Sequence, residues 1–410
     1  MKLALIRRRF SETGGAELYL QRLLAALREA GHELHLFAES WENPAEGVTL
    51  HAQSVTGTRA QRPWQFARAV EADLRRETFH CVFSLERTLR QDVYRAGDGL
   101  HRVWLERRRQ FAPAWRKAMV GLGAFHRAML QLETQTFDSR NTRHIIANSE
   151  MVKREILQHF TFPSERIHVV RNGVDVARFQ SGKREETRAR FGVKPDEFLL
   201  LFVGSGWERK GLKLLLHAVH RIVPQAALGE LLGGMAQGMR EFRKAGREVG
   251  RTLETRLYGL KKQENPVGAE AVLPPDKVKL LVVGKGRPFA PASSHVIFAG
   301  PMANVEDAYA AADLFVFLPI YEPSANVVFE ALAAGLPVVT SAQNGAAELI
   351  HERVNGTVIE DPSDTRAVVE AIQFWWSRRF GSPPIEAAAL SLDRNVRETV
   401  AVLESAAGGR

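Results

Sequence analysis

The strongest constraint on this chain is an alternation. Short, wholly apolar runs recur, each followed by a longer stretch with helical spacing. In the first half the runs are Leu3–Ile6, Glu33–Phe37, Cys81–Ser84, His144–Ala147 and Ile167–Val170. In the second they are Phe198–Val203, Val278–Val283, Val296–Phe298, Leu314–Phe317, Val338–Thr340 and Thr357–Ile359. Strands apolar on both faces must be covered on both, so helices pack above and below a parallel sheet. Between the first two runs, Leu20, Leu23, Leu24 and Leu27 repeat at helical steps, as such a cover requires. So many strands exceed one sheet of this kind, and the polar stretch NGVDVARFQSGKREE at 172–186 offers a boundary. The expected fold is α/β, with two Rossmann-like parallel-sheet domains facing across a cleft, at 1–174 and 175–384. The terminal helix, 385–410, is expected to pack back on the first domain.

Residues 224–277 break the alternation, since links in α/β units are usually about 2–6 residues long. Leu232, Met235, Met239, Phe242, Val249, Leu253, Leu257 and Leu260 form one apolar stripe, opposite a charged face. A long helical insertion in the second domain is expected here. Its stripe over 228–262 calls for self-association, a membrane surface or its own domain as partner.

Charge narrows the partners. Lys and Arg number 56 against 47 Asp and Glu, a net charge of +9, which favours anionic ligands. Seven of those cations lie in 101–130 with one acid and with Trp104, Phe111, Trp115 and Phe125. The pattern suits a helix lying on an anionic membrane; it equally suits a solvated basic face over core aromatics. No apolar run is long enough to span a bilayer. The opening MKLALIRRRF has its apolar run before its arginines, the reverse of an export signal. Cys81 is the only cysteine, so no internal disulfide forms, consistent with a reducing compartment.

Ligands of open parallel sheets bind beyond the carboxyl ends of the strands, and three such ends in the second half are unusual. After Phe198–Val203 comes GSGWERKG, which places Arg209 and Lys210 at a helix start, where cations, amides and dipole together suit a diphosphate. It lacks the Gly-Lys-Ser/Thr of a Walker loop. After Val278–Val283 comes GKG, where Gly284 could admit a base or ribose. After Leu314–Phe317 comes YEPSANVVFEALAAG, with Glu322 before a helix expected from Pro323 or Ser324 to Ala334, and Glu330 two turns inside it. Eight residues at helical rise span at most about 12 Å. Carboxylates at both ends, with the amides of Ser324, Ala325 and Asn326 between, can frame a sugar, a diphosphate and a ribose. Singly, each glutamate reads as a cap or a surface charge; the pair with Arg209 and Lys210 favours the frame. In the first half, Gly14 and Gly15 open a helix where phosphate or sugar can approach the backbone. The motif is not GxGxxG, so no dinucleotide cofactor is expected.

These residues resemble the retaining glycosyltransferases of family 4 (group 1), of GT-B architecture. Gly14-Gly15, NGVD at 172–175, GSGWERKG, the Glu322–Glu330 spacing and ALAAGLPVV carry the resemblance, over most of the chain except 224–277. The opening, HELHLFAESWE and DVYRAGDGLHR are similar to the lipopolysaccharide core glucosyltransferase I subgroup. The resemblance implies that the first domain faces the acceptor and the second binds the nucleotide sugar. It implies that Arg209 and Lys210 hold the diphosphate, Glu322 the sugar hydroxyls, and Glu330 the ribose. Ser324–Asn326 would supply amides, Gly15 would lie under the diphosphate, and Asp98 would sit near the transferred sugar. No metal or other cofactor is implied, and Asp-x-Asp is absent. Two departures are Ala325 where the family often has glycine, and Asn326 for an aliphatic residue.

The expected function is hexose transfer from a nucleotide-diphosphate sugar, such as a UDP-sugar, to a membrane-associated glycan or lipid such as lipopolysaccharide core. Its expected place is the cytoplasm, peripheral on the inner membrane face, with no nucleic acid partner. Two other readings stand beside it: a UDP-sugar epimerase on the same fold, and a non-enzymatic basic membrane adaptor. HELH at 32–35 is not expected to bind metal, because in a strand its histidines point to opposite faces.

Overall fold

A computed structural model describes residues 1–10, 15–41, 47–223, 273–288, 293–378 and 386–408. Two parallel sheets organise the chain. The first runs, edge to edge, Val48–Ala52, Glu33–Ala38, Lys2–Ile6, Cys81–Ser84, Gln91–Ala96, Thr142–Ala147 and Ile167–Val169. The second runs Val296–Gly300, Val278–Val283, Phe198–Val203, Leu314–Phe317, Val338–Ser341 and Gly356–Ile359. Every residue of Phe198–Val203 is buried, as a central strand covered on both faces must be.

Two strands of these sheets escape the apolar-run criterion. Val48–Ala52 is an edge strand paired only with Glu33–Ala38, so its outer side need not be apolar. Gln91–Ala96 is central and wholly buried, yet carries Gln91, Asp92 and Arg95. The polar atoms are satisfied inside: Asp92 Oδ2 accepts from the Val82 amide at 2.8 Å, Gln91 donates to Thr142 Oγ1, and Arg95 donates to Asn172 Oδ1 at 2.9 Å.

The helix Leu392–Gly408 lies on the first domain. Its Leu392, Val396 and Leu403 join a core with Leu3, Leu23, Leu27 and Ile146. The chain therefore crosses between domains twice, and the crossings touch. The Val174 amide donates to Leu390 O at 2.8 Å, and the Leu392 amide donates to Val174 O at 3.2 Å. Gly173 allows this approach, since a β-carbon there would lie 2.5 Å from Ser391 O.

The insertion expected at 224–277, and with it the 228–262 stripe, lies outside the described residues except for 273–277, where Pro275–Lys277 form a 3-10 turn into the next strand. Among the described residues no helix is long and apolar enough to cross a membrane.

Candidate active site

The strand ends of both domains meet at one cleft of about 350 Å³. Arg7, Asp98 and Asn148 line it from the first domain; Lys210, Glu322, Ser324 and Glu330 line it from the second. The loop after Leu314–Phe317 fastens the domains together. Tyr321 inserts into the first domain's core, and Ser149 Oγ donates to Pro323 O at 2.8 Å. Further along, Glu348 Oε1 accepts from the Met151 amide at 2.8 Å.

Arg209 and Lys210 precede the helix Leu212–Ile222, which starts after Gly211. Gly211 has φ +76°, and a β-carbon on it would lie 1.7 Å from Leu318 O, so only glycine fits this turn. Lys210 is half-buried, its Nζ 5.9 Å from the Phe317 ring centroid. Burial lowers its pKa; Glu322 opposes this, Arg209 adds to it, and Glu330 opposes it again. Arg209 pairs with Glu322 at 3.1 Å. Lys210 lines the cleft directly, whereas Arg209 reaches it through that ion pair.

Glu322 is held before the helix by a backbone bridge to Asn344. Burial raises its pKa, Arg209 and Lys210 lower it, and Asp98 raises it. Its Oε2 accepts no aligned hydrogen bond, despite the nearby guanidinium. Glu330 also sits above the usual carboxylate range through burial, countered first by the Tyr309 hydroxyl, which donates to Oε2 at 2.7 Å. Three other buried polar atoms on cleft-lining residues lack a hydrogen-bond partner: Asn148 Oδ1, Ser324 Oγ and Asn395 Oδ1. Each such atom costs about 1–3 kcal/mol until something bonds it. A ligand rich in hydroxyls would do so.

The expected helix start needs correction. The helix spans Asn326–Ala333, with Ala325 extended before it at φ −75°, ψ 111°. Asn344 Oδ1 causes the delay by accepting from the amides of Ala325 at 3.2 Å and Ala346 at 3.1 Å. The Ala325 amide is thereby engaged within the protein. Gly284 takes a different place from that expected: a β-carbon on it would lie 2.2 Å from Gly204 O, so its bareness serves close packing of two strand-end turns. Gly14 lies outside the described residues, and Gly15 is the first residue of the helix Gly15–Glu29. Asp98 is exposed and lines the cleft.

Sequence reasoning missed a relay behind the site. Arg95 stacks over Tyr19, 4.3 Å from its centroid, and holds Asn172. Asn172 Nδ2 donates to Ser324 O at 3.1 Å and Asn326 Oδ1 at 2.7 Å, orienting the helix tip from the other domain. Nothing in the pattern marked Arg95, hidden in a strand. Asn148, directly after Thr142–Ala147, could have been found by the strand-end rule.

One histidine of HELH does meet possible metal ligands: His35, His51 and Glu77 bring one ligand atom each within 4.8 Å of one another. None of the three lines the cleft.

Two parallel-sheet domains whose strand ends enclose cations, carboxylates and unsatisfied polar groups define the GT-B class of sugar transferases. The chain belongs to the family-4, group 1 glycosyltransferases. Residues 13–178 match the family model described as Glycosyltransferase Family 4, and residues 266–377 the one described as Glycosyl transferases group 1. It is 30% identical over 266 residues to the D-inositol 3-phosphate glycosyltransferase of Geodermatophilus obscurus, covering 64% of this chain but 52% of that one. It is 23% identical to the lipopolysaccharide glucosyltransferase WaaG of Escherichia coli (strain K12), covering 88% of this chain and 85% of that one. A crystal structure of WaaG superposes at TM-score 0.69 with 22% identity, over 99% and 98% of the two chains. Anabaena Alr3699/HepE with UDP and glucose follows at TM-score 0.62 and 16% identity, over 99% and 100%. At these identities the two structures speak to the fold alone.

Proposed function

We propose that the chain transfers a hexose, with retention, from a UDP-sugar to a membrane-associated glycan or lipid acceptor such as lipopolysaccharide core. The single observation that carries this reading is the concentration of unsatisfied polar atoms beside Lys210 and the Arg209–Glu322 pair, in one interdomain cleft. Family membership and the likeness to the lipopolysaccharide glucosyltransferase WaaG favour it over an epimerase or a passive adaptor.

In this scheme Lys210 and Arg209 meet the diphosphate, and the charge that develops as the glycosidic bond breaks is stabilised by fixed cations already in place, without a metal. Glu322, held by Arg209, receives sugar hydroxyls at its carboxylate. Glu330, held by Tyr309, receives the ribose hydroxyls. Gly15, Ser324 and Asn326 line the path of the diphosphate, and Asp98 faces the transferred sugar. The bond from the anomeric carbon to the diphosphate oxygen breaks while the acceptor oxygen bonds to the same face. The acceptor proton passes to the departing phosphate, and UDP leaves.

In this reading the tip of 101–130 docks on an anionic membrane, at the cytoplasmic face of the inner membrane, and its exposed apolar side chains support that docking. Trp115, Met119 and Leu122 are 65%, 57% and 66% exposed, beside Arg116 and Lys117. Exposed apolar groups rimmed by cations suit a bilayer interface. The test is transfer of label from UDP-sugars to isolated membranes. Transfer that Glu322→Gln lowers by about 100–1,000-fold is expected; no binding or transfer with any nucleotide sugar would remove the proposal.

A further inference from the structure

A second cavity, of about 710 Å³, lies between the domains beside the Arg209–Lys210 turn. The first domain contributes one wall from the inner side of residues 108–120, and the second contributes the other from 206–217 and 285–286. Its floor is apolar, with Phe111, Val120, Trp207, Leu214 and Ile320. Its rim is cationic: Arg108 and Arg116 on one side, Lys213 and Lys285 on the other, against Glu208 as the acid among the lining residues. A strap keeps the wall in shape, because Arg109 donates to Val120 O at 3.1 Å.

The two sides of the 108–122 segment do different things. Trp115, Met119 and Leu122 point to solvent, while Phe111 and Val120 turn into the cavity. If the outer side rests on a bilayer, the cavity mouth opens at the membrane surface. An apolar floor beneath a ring of cations complements an anionic amphiphile, since the charges steer and hold the head while the floor takes its chain. A free sugar would leave the floor unused, and a neutral lipid would leave the cations unpaired.

We infer that this cavity binds the phosphate-bearing, lipid-proximal part of the acceptor glycolipid, and so holds the acceptor next to the donor cleft. The inference rests on the transferase reading above. It adds a site that contains Lys213 and Lys285, neither of which belongs to the membrane-facing segment or to the donor cleft.

Calorimetric titration of the full chain with dodecyl phosphate below its micellar concentration tests it, with dodecyl maltoside and inorganic phosphate as the uncharged and chainless comparisons. The wild type should bind dodecyl phosphate saturably and the other two far more weakly. The double variant Lys213→Glu/Lys285→Glu, at two exposed positions, should weaken that binding by about tenfold or more. It should also raise the KM for acceptor membranes while leaving UDP binding and the donor KM unchanged. Trp115→Ser/Met119→Ser should instead reduce binding to phosphatidylglycerol–phosphatidylcholine vesicles and spare dodecyl phosphate. Equal binding of the maltoside, or an unaffected double variant, would overturn the inference. So would loss of vesicle binding in the lysine variant as large as in the tip variant, which would mark the cavity as part of a general bilayer contact. Failure of the wild type to bind UDP would count against the transferase reading alone, because dodecyl phosphate binding is read separately.

Discussion

The Tyr321 hydroxyl donates to Glu155 Oε2 at 2.8 Å and accepts from the Leu100 amide at 3.0 Å. One phenol thus joins the loop that carries Glu322 to two segments of the other domain. Gly99 makes room for it, as a β-carbon there would sit 2.3 Å from the hydroxyl. Tyr321→Phe strands the Leu100 amide and removes a donor from Glu155. The expected cost is about 1–3 kcal/mol in denaturant unfolding, together with weaker donor binding as the Glu322 loop loosens.

Burial pushes the Glu155 carboxyl up to about 7, although the Tyr321 hydroxyl pulls it down. Between its ordinary value of 4.5 and about 7 the folded chain holds a proton that the unfolded chain has released. This group's contribution to stability is therefore full below the lower value and lost as pH rises through the upper one, by at most about 3 kcal/mol. Glu155→Gln should flatten that component of the stability–pH curve. A curve with the same slope in the variant would rule Glu155 out as its source.

His101 has the opposite sign. Burial holds its pKa down at about 4, with Arg87 and His126 adding to the effect. It stacks on His126, and their ring nitrogens are 3.0 Å apart. From 6.5 down to about 4 the unfolded chain takes a proton that the folded one refuses, so stability falls as pH falls. His101→Gln should show a shallower acid-side drop in melting temperature than the wild type, whatever its starting value.

Glu322→Gln should separate function from stability. The carboxylate is buried, and the cost of burying its charge, offset in part by Arg209 and Lys210, is what keeps its pKa raised. Removing the charge should leave the melting temperature unchanged or higher while transfer falls by about 100–1,000-fold.

Lys210→Ala removes the ammonium that lines the cleft. UDP affinity should fall by about 10–100-fold, and its dependence on ionic strength should become shallower. A wild-type salt dependence in the variant would place the diphosphate elsewhere.

The frame of the fold was legible because buried parallel strands leave runs such as Phe198–Val203 that water cannot face. Gln91–Ala96 was not legible, because its polar side chains are paid for by partners from distant segments, Thr142 and Asn172 among them. The site followed the same division. Arg209, Lys210 and Glu322 follow strand ends, Glu330 lies in the helix after one, and all four show in the spacing. The helix tip's true start at Asn326 depends on Asn344, and its orientation depends on Asn172, contacts made only when the chain folds. Gly284 looked like a ligand glycine; its neighbour Gly204, 80 residues away in sequence, gives it a packing role.

The most direct measurement is a crystal structure of the chain with a bound UDP-sugar. The account predicts diphosphate density within hydrogen-bonding reach of Lys210 and Arg209, sugar hydroxyls on Glu322 and the ribose on Glu330. Density for the nucleotide sugar outside this cleft, or a sugar with no hydroxyl in contact with Glu322, would contradict it.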